Sequence, residues 1–443
     1  MLFMYTLLSY INAAFFISKL FYVSAIEISI YLYFNDYVSF IHRITDKLAS
    51  MNILYVKIFQ AFALNHHFID DSLNNYLLKF TDNAPWTLED IDYETLCGIC
   101  NDYNIHFPDG FEKPMNSGMI SLVYKGQLLD QNNSSVIIKL KRMNIRQKLE
   151  TATEELLYLV YILSFIPFFK KYDIDRLVRQ NIELIRQQVR FDIEIKNMRQ
   201  MKENCLNFKY VKIPEVYECS YPNAIIMEYI QGITIASVKE TDYESYAKQL
   251  LKFGTVTILM HGFAHGDLHA GNILFIQDEE EENPKYKYKI GILDFGIMYE
   301  IDDIFRNLLY EIMDELTTMD SILLAEKMLD SGMFIQPGET IRALPKEHYD
   351  NIVYMISTIL TKTFRAGNKC NQAQFYFFIC EFHKYMINYL PQYDLTMSNN
   401  VIKTQLALAM THGVTFKLCQ TNWVDMFTKV MEELFHTNLL EKE

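Results

Sequence analysis

Residues 261–275 read HGFAHGDLHAGNILF, and the triplet Asp294-Phe295-Gly296 follows 22 residues after Asn272. Three glycines within the longer stretch disfavour one continuous helix. The runs 272–277 and 285–293 read as strands on either side of an acidic tip. The two motifs therefore lie at the two ends of one predicted β-hairpin.

Three side chains in these motifs have the order that phosphoryl transfer from ATP requires. Such a site needs a carboxylate that orients or deprotonates the acceptor, and oxygen ligands for Mg²⁺. Asn272 follows Asp267 by five residues, and Asp294 opens the Asp-Phe-Gly triplet. A lone triplet arises by chance, but the combination on a hairpin frame is far more specific. We predict Asp267 as the catalytic carboxylate, Asn272 and Asp294 as metal ligands, and ATP and Mg²⁺ as cofactors.

A zinc site is the competing hypothesis for this stretch, because His261, His265 and His269 would share one face of a helix. The glycines that disfavour a helix also disfavour this alternative. Cys97 and Cys100 form a CxxC pair without a second pair or a nearby histidine cluster. We interpret them as two small, half-buried side chains.

A kinase-like site also needs a strand lysine for the phosphates and a helical glutamate that positions this lysine. Lys139 follows three apolar residues and is our prediction, while Lys141 on the same strand face is the alternative. Glu194 is the predicted partner.

Hydrophobic periodicity predicts four strands and a long helical stretch around these residues. The predicted strands are 121–128, 135–140, 210–216 and 224–229, and the helical stretch covers 142–204 with a break at Ile166-Pro167. The last strand ends in Glu228-Tyr229 and resembles an interlobe hinge, whose backbone receives adenine. Further helices are predicted over 36–101 and 301–319.

Composition sets limits on location and partners. The 443 residues carry a net charge of −14, which argues against nucleic acid as a partner. The seven cysteines are an odd number spread thinly, so reduced thiols and an intracellular location are expected. Residues 1–18 are uncharged and reach the lower limit of a membrane span, without the basic flank of a signal peptide. Membrane association and a buried or interfacial helix both remain open for residues 1–34.

From about residue 45 to residue 335, the sequence resembles the UbiB-like atypical kinase family, whose members are linked to ubiquinone biosynthesis. His265-Gly266-Asp267 replaces the HRD of protein kinases, and His269 stands where those enzymes place lysine. After Gly296 the helical pattern resumes at once, without room for a peptide-docking segment. Upstream, Lys57 and Gln60 match the ends of the family's KxGQ motif.

Two departures from the family accompany this resemblance. Phe59 replaces the glycine of KxGQ, and the family's Ala-rich nucleotide loop with its serine is here Asn116-Ser117-Gly118-Met119. The resemblance implies that these four loop residues contact the nucleotide. It also implies that Lys57 and Gln60 regulate the site, because this extension obstructs protein substrates in the family. Gly118 allows closer backbone approach to phosphate than alanine does.

The sequence thus predicts an α+β protein with a bilobal protein-kinase-like fold and a helical N-terminal extension. The predicted divisions are an apolar segment at 1–35, the extension at 36–110, an N-lobe at 111–232 and a C-lobe at 233–443. The expected activity is ATP hydrolysis or phosphorylation of a small-molecule or lipid-linked target. By resemblance, the context is quinone or lipid metabolism, with a lipid or quinone precursor and a membrane surface as partners. A small-molecule kinase of the aminoglycoside or choline type and a nucleotide-binding scaffold without turnover are the alternatives.

Overall fold

The computed structural model describes residues 2–64, 76–77, 80, 83–129, 134–165, 174–283, 286–315, 319–330, 334–335, 341–364, 385, 396–419 and 423–436. Within these ranges the protein is α+β, with long helices and small, mainly antiparallel sheets. The chain divides into two compact units. Unit 1 comprises Met1–Arg199 and Pro214–Tyr229, and unit 2 comprises Gln200–Ile213 and Ile230–Glu443.

The helices of unit 1 include both predicted helical stretches. In the described ranges they are α1 (Leu2–Phe34), α2 (Tyr37–Met51), α3 (Leu54–Leu64), α4 (Tyr93–Tyr103), α5 (Ile145–Leu163), α6 (Ile174–Gln188) and α7 (Phe191–Asn204), whose last residues, from Gln200, belong to unit 2. The carboxylate of Asp36 caps α2 by accepting the N–H of Ser39 at 3.0 Å. The stretch predicted over 142–204 is three helices, and its predicted break at Ile166-Pro167 lies outside the described residues.

Four strands of two residues and three longer strands lie in the described middle of the chain. They are β1 (Ile105–His106), β2 (Asn116–Ser117), β3 (Ser121–Leu128), β4 (Ser134–Lys141), β5 (Val211–Lys212), β6 (Val216–Tyr217) and β7 (Ala224–Glu228). All except β5 form the sheet of unit 1, in the order β1-β3-β4-β7-β6 with β2 paired to β3. Leu122 and Ile138 are fully buried between this sheet and α4. The strand bounds predicted at 121–128 are confirmed.

Unit 2 is mainly helical within the described ranges. Its helices are α8 (Tyr243–Leu259), α9 (Asp303–Asp314), α10 (Ser321–Asp330), α11 (Lys346–Phe364), α12 (Asn399–Leu418) and α13 (Trp423–His436). Its remaining strands are β8 (Phe263–His265), β9 (Ile273–Gln277), β10 (Tyr288–Ile292), β11 (Met298–Glu300), β12 (Phe334–Ile335) and β13 (Thr396–Met397). Most residues of α8 are buried, so this helix is the core of the unit.

The predicted hairpin between the two motifs is confirmed. Strands β9 and β10 pair antiparallel from Ile273 opposite Ile292 to Gln277 opposite Tyr288. The acidic tip begins with Asp278, whose carboxylate accepts a hydrogen bond from Lys289 Nζ at 2.7 Å. A parallel partner, β5, lies on the other edge of β10.

The single strand predicted over 210–216 is wrong. The chain forms two short strands there, because Pro214 has no N–H and interrupts the ladder. Strand β5 pairs with β10 in unit 2, whereas β6 pairs with β7 in unit 1.

Helix α1 is the one helix in the described part of the chain that is long and apolar enough to cross a membrane by length and composition. Core helices and signal sequences meet the same criterion, so this finding alone is weak evidence of a span. Glu27 of α1 is fully buried and accepts hydrogen bonds from Arg43 at 2.7 Å and Lys47 at 2.5 Å, both on α2. These ion pairs therefore hold one side of α1 against α2.

Candidate active site

The His-Gly-Asp segment of unit 2 begins where β8 ends. Strand β8 pairs antiparallel with β11, which places Met298 opposite His265. The N–H of Gly266 then donates to the carbonyl oxygen of Ile297 at 2.9 Å. This pairing brings the residues that follow the Asp-Phe-Gly triplet beside the His-Gly-Asp motif.

The imidazole of His265 joins the two motifs. Its Nδ1 accepts the N–H of Asp267 at 3.1 Å, and its Nε2 forms a short hydrogen bond with the carbonyl oxygen of Asp294. Because a carbonyl oxygen only accepts, Nε2 carries the proton, and the bond to Nδ1 requires that this nitrogen is unprotonated. The ring is therefore neutral. Burial lowers the pKa of His265, against the opposing effects of Asp294 and Asp267, and this favours the same state.

Asn272 and Asp294, the predicted metal ligands, lie at adjacent ends of the hairpin. The N–H of Leu293 donates to the carbonyl oxygen of Asn272 at 3.0 Å. The Asn272 amide nitrogen donates to the carbonyl oxygen of Asp267 at 2.9 Å, so the amide oxygen is the atom that this side chain offers to a cation. Asp294 Oδ1 accepts the N–H of Gly296 at 2.8 Å. A carboxylate and an amide oxygen are ligands that Mg²⁺ prefers, so the donor set fits this ion.

Gly266 has no room for a side chain. A Cβ at this position would lie 2.6 Å from Cγ2 of Ile297 and 2.9 Å from Cε2 of Tyr299. Burial and the nearby Asp267 carboxylate raise the pKa of Tyr299 to about 12, so its phenol stays protonated. The tyrosine ring thus occupies the space that a larger middle residue of the motif would need.

The predicted pairing of Lys139 with Glu194 is present in unit 1. Lys139 Nζ lies 2.5 Å from Glu194 Oε1, and both side chains are buried, with 10% and 1% exposed. Lys141, the alternative, instead donates to the carbonyl oxygen of Pro222 at 3.0 Å and lies over the ring of Phe191. The structure therefore brings Lys139, not Lys141, to the helical glutamate.

The four predicted loop residues do not all present their side chains outward. The Ser117 hydroxyl is buried and donates to the carbonyl oxygen of Ala84 at 2.8 Å, and Met119 is buried in a hydrophobic cluster. The N–H of Gly118 donates to the carbonyl oxygen of Ser121 at 2.9 Å. Asn116, which is partly exposed, lies in β2 and pairs with Val123 of β3.

The residues that resemble KxGQ lie on α3 of unit 1. Lys57 is partly buried, and the side chain of Gln60 lies outside the described residues. Phe59 is buried, with its ring centroid 5.4 Å from that of Phe80. The bulky side chain at the family's glycine position is thus accommodated as core.

Glu228 ends β7, Tyr229 follows it, and both are partly exposed. Glu228 exchanges hydrogen bonds with the backbone of Glu215, and Lys125 Nζ lies 4.2 Å from the centroid of the Tyr229 ring. The side chain and the N–H of Glu228 and the ring of Tyr229 therefore all contact protein.

The three histidines of the zinc hypothesis do not share a helix. His265 ends β8, and His269 precedes a short 3₁₀ turn at Ala270–Asn272. Among the residues that the structure describes, no group of three or more His, Cys, Asp and Glu side chains is placed to hold a metal ion.

Sequence reasoning missed two residues that organise the candidate site, His265 and Arg142. The HGD motif contained His265, but its partners are backbone atoms, which leave no residue-type pattern. Arg142 follows Lys139 by three residues and contacts the carbonyl oxygen of Gly118 in the predicted loop, and no motif considered above includes it.

A protein-family model places this geometry in a known group. The model of the ABC1 atypical kinase-like domain matches residues 102–328, just over half of the chain. The chain belongs to the ABC1 atypical kinase-like family. The resemblance to UbiB-like kinases is confirmed, and the α+β kinase-like fold predicted from the motifs is that of this family.

Curated relatives agree with the ABC1 assignment. The chain is 26% identical over 305 residues to the probable protein kinase UbiB of Shewanella sp. (strain ANA-3), covering 66% of this chain and 53% of that protein. It is 22% identical over 272 residues to the AarF domain-containing protein kinase 1 of Xenopus tropicalis, covering 60% and 50%. The chain spans about half the length of the curated relatives it matches.

Two solved structures resemble this ABC1-family chain distantly. One is the complex of Rv3197 with erythromycin from Mycobacterium tuberculosis, with TM-score 0.49, 17% identity and coverage of 77% of this chain and 82% of that one. The other is the Rio2 kinase complex with ADP, Mg²⁺ and phosphoaspartate from Chaetomium thermophilum, with TM-score 0.32, 13% identity and coverage of 81% and 94%.

Proposed function

We propose that the chain binds ATP with Mg²⁺ and either hydrolyses it or transfers its terminal phosphoryl group to a small-molecule or lipid-linked acceptor. The observation that carries the proposal is the neutral imidazole of His265, which fixes the backbones of Asp267 and Asp294 together. In this proposal Asp267 orients or deprotonates the acceptor, and Asn272 and Asp294 hold the metal. Bound Mg²⁺ neutralises charge on the phosphates.

In unit 1, Lys139 acts on the phosphates. Its buried ion pair with Glu194 holds the ammonium group in one place, and burial keeps competing water away. The backbone of Glu228 and Tyr229 receives adenine, and the turn from Asn116 to Met119 covers the phosphates.

The acceptor is proposed to be a small or lipid-linked molecule because little chain separates the Asp-Phe-Gly triplet from the next helix. Strand β11 follows Gly296 directly, and α9 begins at Asp303. This leaves no long segment on which a peptide substrate would dock. Quinone or lipid metabolism is the proposed context, and it rests on the family.

Nucleotide binding and turnover, each measured with and without Mg²⁺, test the proposal. We expect Asp294→Asn to lose at least tenfold of the Mg²⁺-dependent affinity for ATP, and Asp267→Asn to bind ATP while turnover falls about a hundredfold or more. Asp278→Asn, at the tip of the same hairpin, is the matched control and should behave as wild type.

Two results would overturn this function. One is a wild-type protein that binds no ATP, and the other is an Asp294→Asn variant that binds ATP with Mg²⁺ as tightly as wild type does. Binding without turnover in wild type would support a nucleotide-binding scaffold. Strong stimulation by choline-like alcohols, rather than by quinone precursors or lipids, would support a soluble small-molecule kinase.

We also propose that the exposed side of α1 contacts a membrane surface. Large apolar side chains there are mostly exposed, among them Phe15 at 73%, Phe21 at 67% and Leu32 at 74%. The ion pairs that the buried Glu27 makes with Arg43 and Lys47 of α2 favour a helix that lies on the surface, because spanning would separate these charges.

Sedimentation with phosphatidylcholine–phosphatidylserine vesicles tests this contact. We expect Phe15→Gln combined with Phe21→Gln to reduce vesicle binding at least fivefold. Ile304→Gln combined with Leu323→Gln removes two exposed apolar side chains from unit 2 and should have no effect. Equal losses in the two variants would contradict the proposal.

A further inference from the structure

Arg142, the residue after β4, joins two segments that are distant in sequence. Its side chain is buried, with 5% of the residue exposed. Nη1 donates to the carbonyl oxygen of Pro85 at 2.6 Å, and Nη2 donates to that of Gly118 at 2.6 Å and to that of Ala84 at 3.3 Å. One guanidinium group therefore connects the nucleotide loop to residues 84–85 of the helical extension.

Asp90 supplies the countercharge. Its Oδ2 lies 3.4 Å from Arg142 Nη1, and its Oδ1 lies 2.6 Å from Lys148 Nζ. The backbone carbonyl of Asp90 also accepts the N–H of Met143 at 2.8 Å. The carboxylate belongs to the extension, so the charge of Arg142 is balanced from the same side as two of its carbonyl partners.

Backbone hydrogen bonds hold the same two segments together. The N–H of Ala84 donates to the carbonyl oxygen of Ser117 at 2.8 Å, and the Ser117 hydroxyl returns a bond to the carbonyl oxygen of Ala84. The N–H of Arg142 donates to the carbonyl oxygen of Ile120 at 2.9 Å. The loop is thus fastened to the extension at Ser117 and Gly118, and to the end of β4 at Ile120.

The two departures from the family meet in one hydrophobic cluster beside this junction. Phe59, which stands for the motif glycine, and Met119, which stands for the motif serine, are both buried members of the cluster, as is Phe80. Apolar packing therefore adds to the polar contacts that connect the extension to the loop.

We propose that Arg142 is a positioning residue through which the helical extension sets the geometry of the phosphate-binding loop. The inference rests on the proposed nucleotide binding. Arginine suits this task because its planar fork reaches several carbonyl oxygens at once, which a lysine ammonium cannot do in the same geometry. Arg142 lies next to the loop and is not itself a phosphate ligand in this scheme.

The test compares ADP with adenosine, each in the presence of Mg²⁺, by titration calorimetry. Because the loop would contact phosphates only, we expect Arg142→Gln to weaken ADP binding about tenfold and to leave adenosine binding unchanged. Arg142→Lys keeps the charge and should weaken ADP binding about threefold. An equal loss for both ligands would indicate general damage, and an unchanged ADP affinity in a folded Arg142→Gln variant would equally overturn the proposal.

Lys148→Gln is the matched control, because Lys148 shares Asp90 with Arg142 and the two contacts lie side by side. Its own contact lies away from the loop, so ADP affinity should match wild type. If Arg142→Gln does not fold, Arg142→Lys carries the comparison alone, and a wild-type ADP affinity in that variant overturns the proposal.

Hydrogen exchange at the Ala84 and Gly118 amides in the nucleotide-free protein separates this inference from the proposed function. Exchange at both amides should be at least tenfold faster in Arg142→Gln and unchanged in Lys148→Gln. If wild type binds no nucleotide, the proposed function fails, yet faster exchange would still support the connection. Unchanged exchange would overturn it whatever the nucleotide result.

Discussion

The two sets of candidate site residues are held in place by different means. In unit 1, one buried ion pair holds the ammonium group of Lys139 against Glu194. In unit 2, hydrogen bonds to backbone atoms hold Asp267, Asn272 and Asp294, and a neutral imidazole lies at their centre. The first arrangement depends on two opposite charges, whereas the second depends on a ring whose two nitrogens have fixed roles.

This difference predicts which amino-acid substitutions each region should tolerate. A buried charge that loses its partner is strongly unfavourable. We therefore expect the stability of the protein to fall when either Lys139 or Glu194 alone loses its charge, and to fall less than additively when both do. The backbone partners in unit 2 cannot be mutated away, so that region should respond to loss of the ring and to crowding of the strands around it.

The largest expected effect comes from breaking the ion pair. We expect Lys139→Met or Glu194→Leu alone to lower the free energy of unfolding by about 3–5 kcal/mol, because each removes the oppositely charged partner of a buried ionised group. The double variant should be at least about 2 kcal/mol more stable than the sum of the single losses predicts. Urea unfolding of the four proteins measures this coupling. Additive losses would show that the pair is not what fixes Lys139.

Removing the central imidazole should come next. His265→Ala leaves the N–H of Asp267 and the carbonyl of Asp294 without their partner, at a cost of about 2–4 kcal/mol. His269→Ala removes a ring that accepts one backbone bond, from Gly271, and should cost about half as much. The same denaturation measurement applies, and equal losses would contradict a special role for His265.

Crowding at Gly266 should have a smaller effect. Gly266→Ala places a Cβ 2.6 Å from Ile297, and we expect a loss of about 1–3 kcal/mol. The control is Gly413→Ala on α12, where nothing lies within 4 Å and the alanine should raise stability by about 0.5–1 kcal/mol. Thermal unfolding shows whether each variant is less or more stable than wild type. A Gly266→Ala variant as stable as wild type would mean that β11 shifts to accommodate the Cβ at little cost in free energy.

The smallest effect concerns acidic pH and the half-buried imidazole of His412 in unit 2. Burial among rings that include Trp423 lowers the pKa of His412 to about 4 from 6.5. The folded-state pKa is the lower one, so the unfolded chain takes up the proton first, and stability is lost as pH falls from 6.5 towards 4. From pH 7 to 5.5 the loss should be about 1 kcal/mol.

A His412→Gln variant should flatten this pH dependence of unfolding. The variant itself is less stable at neutral pH, so the slope and not the absolute stability is the quantity compared. An unchanged slope would show that His412 does not titrate differently on unfolding.

The sequence predicted well those features that depend on which types of residue are present. The bounds predicted for strand β3 match because a turn-rich segment, Asp130-Gln131-Asn132-Asn133, follows it in the sequence, and the β9–β10 hairpin was found because motifs mark both of its ends. Lys139 and Glu194 follow a pattern of a strand lysine and a helical glutamate, and the structure pairs them.

The features that it missed depend on backbone partners. Carbonyl oxygens occur at every position, so neither Arg142 nor His265 could be assigned its contacts from residue types. The loop residue Ser117 was predicted to contact nucleotide, yet its hydroxyl bonds to the carbonyl of Ala84, an interaction that spacing alone does not encode.

Pro214 divides the chain in a way that bears on how the protein is made. Unit 2 takes strand β5 from a segment that leaves the ribosome before the last strand of unit 1 does. Until β10 is synthesised, β5 has no partner in its sheet, and unit 1 is incomplete until residue 229 has emerged. A fragment that starts at Ile230 would lack β5 and expose the edge of β10, which is the strand that ends just before Asp294. A cut at the boundary between the units therefore leaves the β9–β10 hairpin without the third strand of its sheet.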